Sequence, residues 1–131
     1  MDILFLDANV LFSAAYLRDA GLRRLWRLED VELISSLYAV DEARRNLREP
    51  DQRDRLDALL EGLRMVASLP ERRLPDGVTL PSKDQPILKA ALAAGATHLI
   101  TGDMSDFGHL FDTTVEGLRV LTPGAYIRAR K

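Results

Sequence analysis

Five acidic residues, Asp7, Glu42, Asp84, Asp103 and Asp106, fall where the sequence changes from one expected element to the next. Asp7 directly follows the apolar run Asp2 to Leu6, and Asp103 follows the run Thr97 to Thr101 after Gly102. Asp84 stands at a helix N-terminus, where the macrodipole favours an anion, and Glu42 is expected in the first turn of the helix after the second strand. Asp106 lies just beyond Asp103. Carboxylates gathered at one place push each other's pKa upward, and a cation resolves the conflict. The chain has no cysteine and neither histidine stands beside these acids, so the available ligands are oxygens, which select Mg²⁺ or Mn²⁺ over zinc. Carboxylate-held Mg²⁺ keeps waters and meets substrate phosphates, and the chemistry to expect is phosphoryl transfer or phosphodiester hydrolysis.

These acids can meet only if the intervening elements bring them to one edge. Ile3 to Leu6 is a continuous apolar run, which fits a strand buried on both faces. From Ala8 to about Leu28 apolar residues recur near helical spacing, with Gly21 as a break, which predicts two short helices. Val31 to Ile34 reads as a strand and Ala39 to Leu47 as a helix. Glu49-Pro50-Asp51 opens a further helix carrying Leu56, Leu59, Leu60, Leu63 and Val66 and ending before Pro70. Glu71 to Pro81 reads as a loop. Either Ser82, paired with Gln85 in a capping box, or Asp84, followed by Pro86, caps the next helix, whose small apolar face ends at Gly95. Thr97 to Thr101 and Leu118 to Leu121 read as strands, and Pro123 opens a last helix through Ala129. Strands alternating with helices give an α/β fold, a three-layer α/β/α sandwich with a mostly parallel central sheet, in one domain over residues 1–131. Ligands of open parallel sheets bind beyond the carboxyl ends of the strands, where Asp7 and Asp103 fall.

Composition narrows the function classes. The 18 Lys plus Arg against 20 Asp plus Glu give a formal charge of −2, which excludes coating nucleic acid by bulk positive charge and leaves room for a local basic groove. With 47% hydrophobic and 29% charged residues, the chain has the composition of an ordinary globular domain. The absence of cysteine excludes thiol catalysis and disulfide staples. The N-terminal segment lacks the basic start of a secretory signal, and apolar stretches end well short of the ~18 residues of a membrane span. A soluble cytoplasmic protein is expected.

Three segments, LDANVLFSA, VDEARRNL and KDQPILKAALAAGATHLITGDMSDFG, resemble the PIN domain, a family of metal-dependent ribonucleases that includes the VapC-like toxins of bacterial toxin–antitoxin pairs. The resemblance covers essentially the whole chain, and its last block is the most specific. It implies that Asp7, Glu42, Asp84 and Asp103 are a catalytic, metal-binding quartet, with Asp106 as an additional, more variable metal ligand. Asn9 and Thr101 match polar positions that support such a site. It further implies one or two Mg²⁺ or Mn²⁺ ions activating a water that cleaves RNA to a 3′-hydroxyl and a 5′-phosphate. A VapC-like identity also implies a homodimer and an antitoxin protein whose peptide covers the active site.

Plainer roles compete for several of these residues. Asp7 could serve only as a helix cap, Asp41 is the rival of Glu42, and Asp106 could merely cap a turn. His98, His109, Trp26, Met104 and Phe107 read as structural or packing residues. Basic residues cluster at Arg18, Arg23, Arg24 and Arg27, at Arg44, Arg45 and Arg48, and at Arg128, Arg130 and Lys131. Arg44 and Arg45 are the RNA-contacting candidates because they follow Glu42, although Glu49, Asp51, Asp54 and Asp57 could pair with this group. FLDANV also echoes the strand-end nucleophile of haloacid dehalogenase-type phosphatases, but the position of that family's second Asp is Asn9. A non-catalytic module of the same fold, binding RNA or a protein, is the remaining alternative.

Overall fold

The computed structural model describes residues 1–69 and 71–130; the helix limit expected at Pro70 and the basic residue Lys131 fall outside that range. A six-stranded sheet forms the centre, with β1 (Asp2–Leu6), β2 (Val31–Ser36), β3 (Arg64–Val66), β4 (His98–Ile100), β5 (Thr114–Val115) and β6 (Leu118–Leu121) in the order β3-β2-β1-β4-β6-β5. All neighbours run parallel except β5 and β6. The helices are α1 (Ala8–Tyr16), α2 (Leu37–Asn46), α3 (Pro50–Leu60), α4 (Gln85–Ala93), α5 (Met104–Phe107) and α6 (Pro123–Ala129), with 3₁₀ turns over Gly21–Arg27 and Gly108–Leu110.

Leu4, Phe5 and Leu6 are wholly buried in sequence, as a central parallel strand covered on both faces requires. Right-handed crossovers place α1 and α3 on one face and α4 on the other. Accordingly α1 packs against α2 and α3, while α4 lies on β2 and β4. The strand order reverses between β1 and β4, so the crevice at which such sheets bind ligands opens beyond Leu6 and Ile100, which are register partners. None of the described helices is long and apolar enough to cross a membrane.

Three readings of the sequence need correction. The helix expected to carry Leu63 and Val66 stops at Leu60, and these residues pass into the edge strand β3. Gly62 marks the break: its backbone approaches the Trp26 ring so closely that a Cβ there would lie 3.1 Å from Trp26 Cδ1. The helix carrying Glu42 begins at Leu37, capped by Ser36, which moves Glu42 out of the first turn. Met104 is 66% exposed and lies outside the core, whereas Phe107 is fully buried as expected.

Candidate metal centre

The site grows from the pairing of β1 with β4. One step past the last register pair, Leu6 and Ile100, the chain reaches Asp7 and Thr101. Asp7 leaves the strand and caps α1, its Oδ1 accepting from the Ala8 amide at 2.7 Å. Its Oδ2 accepts from the Thr101 hydroxyl at 2.8 Å and from Asn9 Nδ2 at 3.0 Å. Asn9 Oδ1 in turn accepts from the Gly102 amide at 2.7 Å, and Thr101 Oγ1 accepts from the Asp103 amide at 3.1 Å. The two strand ends are thus tied together by the side chains of Asn9 and Thr101. Capping occupies Oδ1 of Asp7, while Oδ2 faces Thr101 and Asn9.

Asp7 is only 4% exposed, and burial pushes its carboxyl above the ordinary carboxylate range. The Thr101 and Ala8 hydrogen bonds oppose that rise, while the Glu42 and Asp103 carboxylates add to it. An anion in this environment is costly without a neighbouring positive charge.

Asp84 occupies the cap position of α4 but makes no capping bond to its helix, which releases its carboxyl for other partners. Ser82 is not the cap. Asp84 is 6% exposed; burial first, then contact with the Asp106 carboxyl, push it up to about 6, against the pull of Lys83. Asp106 moves the other way, held below its ordinary value by Lys83 and then by Asp84. Asp103 caps the short α5, its Oδ1 accepting from the Asp106 amide at 3.0 Å.

One oxygen each from Asp84, Asp103 and Asp106 can be chosen so that all lie within 4.8 Å of one another. That spacing and the all-oxygen donor set suit a hard divalent cation. Asp7 and Glu42 lie outside this tight group, near enough for their charges to act on each other. Glu42 is half-buried and borders, with Asn9, Gly102 and Asp103, an open cleft of about 470 Å³. Asp41 is exposed. Of the five acids expected at the site, the structure groups Asp84, Asp103 and Asp106 most closely, which gives Asp106 a larger place than its sequence position suggested.

Other side chains were not singled out by spacing. Lys83 Nζ lies 2.7 Å from Asp106 Oδ2 and 3.1 Å from Asp84 Oδ2. The Tyr38 hydroxyl donates to the Lys83 carbonyl at 2.6 Å. The only available signal was that Lys83 precedes Asp84 directly. Arg44 is engaged by Asp57 at 2.7 Å, Arg45 is exposed, and Arg48 lines a second cleft with Asn9 and Glu42. His98 pairs with Thr97 Oγ1 at 2.8 Å and meets the Tyr126 ring edge-on, a structural role.

A sheet that reverses order beside a carboxylate cluster defines an α/β protein of the three-layer kind. The family model of the PIN domain matches residues 4–105, and the chain belongs to the PIN-domain family. Among solved structures, VapBC2 from Rickettsia felis, bound to a DNA fragment from its promoter, superposes with a TM-score of 0.66 at 16% identity. The match covers 92% of this chain and 98% of that one. FitAcB from Neisseria gonorrhoeae gives a TM-score of 0.52 at 20% identity with the same coverage. No curated protein sequence matches the chain.

Proposed function

We propose that this PIN domain is a metal-dependent endoribonuclease of the cytoplasm, the toxin of a toxin–antitoxin pair, with Asp7, Glu42, Asp84 and Asp103 as its catalytic quartet. The observation that carries the reading is the convergence of Asp84, Asp103 and Asp106 oxygens within 4.8 Å, at the strand ends where Asp7 is buried. A bound Mg²⁺ or Mn²⁺ would supply a water of lowered pKa and neutralise charge on the phosphate. The protein's own contribution is to hold the acids. Asn9 and Thr101 fix Asp7, the Thr101 hydroxyl also orients the Asp103 amide, and Glu42 places a further carboxylate on the cleft wall. Asp7 is a poor candidate for a covalent phosphatase nucleophile, because the position two residues on, where that family carries its second Asp, is Asn9, whose side-chain amide is bound to Asp7 and to the Gly102 amide.

The likeness to VapBC2 supports an antitoxin partner. Leu37 and Met104, at the starts of α2 and α5, are 63% and 66% exposed on the same edge of the sheet as the acids, an apolar margin that a partner peptide could cover. A homodimer is part of the proposal and is read by analytical ultracentrifugation.

The purified chain should cleave RNA with Mg²⁺ or Mn²⁺, leaving 5′-phosphates, and stop on addition of EDTA. Asp103→Asn keeps an acceptor for the Asp106 amide, so it should fold normally and lose cleavage. Undiminished cleavage by that variant would overturn the proposal.

A further inference from the structure

Lys83 sits in a turn closed by the Asp84 amide donating to the Pro81 carbonyl at 2.9 Å. Its own carbonyl is held by Tyr38 from α2, at 2.6 Å. With the backbone fixed on both counts, the side chain extends across the acidic cluster. Its ammonium lies 2.7 Å from Asp106 Oδ2, 3.1 Å from Asp84 Oδ2 and 3.4 Å from Asp84 Oδ1. These are two of the three carboxyl groups with the spacing of cation ligands. The side chain is nonetheless 64% exposed, so nothing encloses it and it has room to leave.

From this arrangement we infer that Lys83 is a displaceable internal counter-cation, which occupies the Asp84–Asp106 pair in the metal-free protein and must yield those carboxylates when a divalent ion enters. The inference rests on the metal-dependent reading above. An ammonium and a divalent cation compete for the same pair of carboxyl groups, because the two positive charges repel at that distance. The ion takes more ligands and carries twice the charge, so it wins at sufficient concentration. The ammonium is tethered, so its competition does not dilute away. Two consequences follow. The carboxylates are kept together before metal arrives, and the apparent metal affinity is set lower than the oxygens alone would give. Lys83 is in this sense a positioning residue.

The test is calorimetric titration of EDTA-stripped full-length chain with Mn²⁺, at mildly alkaline pH and low salt, for wild type, Lys83→Met and Lys83→Arg. Removing the ammonium should tighten Mn²⁺ binding by about tenfold, the gain being limited by solvent screening at so exposed a group. Lys83→Arg should stay close to wild type, because it keeps the competing charge. Equal or weaker binding by Lys83→Met overturns the inference while leaving the nuclease reading intact. Absence of Mn²⁺ binding in both wild type and Lys83→Met overturns both. Should Lys83→Met fail to melt cooperatively, Lys83→Gln replaces it. An independent readout is the Lys83 ammonium resonance in wild type: it should report a hydrogen-bonded group without metal and move to the free-lysine position on saturation with Mg²⁺. A resonance that Mg²⁺ leaves unmoved, in protein that binds Mg²⁺, also overturns the inference.

Discussion

The Thr101 hydroxyl donates to Asp7 Oδ2 at 2.8 Å, joining the ends of two neighbouring parallel strands through a buried carboxyl. Thr101 itself is fully buried. Thr101→Val is nearly isosteric, yet it removes this donor and also the acceptor of the Asp103 amide. We expect it to cost about 1–3 kcal/mol of stability, measured by urea denaturation, with Thr101→Ser recovering most of the loss.

The metal-free protein should lose stability as the pH rises through the weakly acidic range. Asp84 is raised from 3.8 to about 6, chiefly by burial. An acid raised in the folded state contributes stability that is complete below its unfolded value and is lost as the pH passes its folded value, here about 6. Asp7 is raised and has the same sign, whereas Asp106 is lowered, so its own dependence falls below the ordinary carboxylate range. Asp84→Asn should therefore gain on wild type once the pH exceeds 6, in denaturant titrations with EDTA. Saturating Mn²⁺ should remove the wild type's loss.

Glu42 offers a separation of activity from stability. Its side chain is half-buried on the cleft wall, and its charge raises the Asp7 carboxyl. Glu42→Gln removes that repulsion and should melt no lower than wild type. Initial rates at saturating Mn²⁺ should fall by about 100-fold, the scale of losing one charged group from a preorganised site.

Among the arginines, position relative to the cleft decides the outcome. Arg48 borders the cleft shared by Asn9 and Glu42, while the Arg44 guanidinium is held by Asp57. Arg48→Ala should raise KM for RNA and lower the slope of log KM against log salt by about 0.7, the value for one phosphate contact on a single strand. Arg44→Ala should change both far less.

The first strand, which leads into Asp7, and the helix that follows Asp84 were legible because each has a strong local signal. Ile3 to Leu6 is a continuous apolar run, and α4 is bracketed by Asp84-Gln85-Pro86 and Gly95. The edge of the sheet was not legible. Leu56, Leu59, Leu60 and Leu63 keep helical spacing straight through Gly62, and β3 is too short to show alternation of its own. What stops the helix is tertiary: the Trp26 indole donates to the Leu59 carbonyl at 2.9 Å and fills the space beside Gly62. The two-residue β5 was missed as well. Its mark is Glu116-Gly117, both at positive φ, 50° and 88°, as a tight hairpin turn requires. The site shows the same limit. Sequence position placed Asp7, Asp84 and Asp103 at element boundaries, but the place of Asp106 depended on its approach to Asp84, a residue far from it in the chain.

The helix that presents Asp84 rests on the sheet through Ile87, Leu88, Ala90 and Ala91, two of them alanines with no exposed surface. Alanine sets the shortest distance at which a side-chain-bearing helix can approach, and close-packed interiors transmit displacement instead of absorbing it. The spacing of the carboxyl oxygens is therefore calibrated from the interior, more than a turn of helix away from the acids themselves. A single larger residue at Ala90 or Ala91 would shift Asp84 as surely as a change beside it. The geometry of the acids thus depends on the alanines beneath them as well as on the acids.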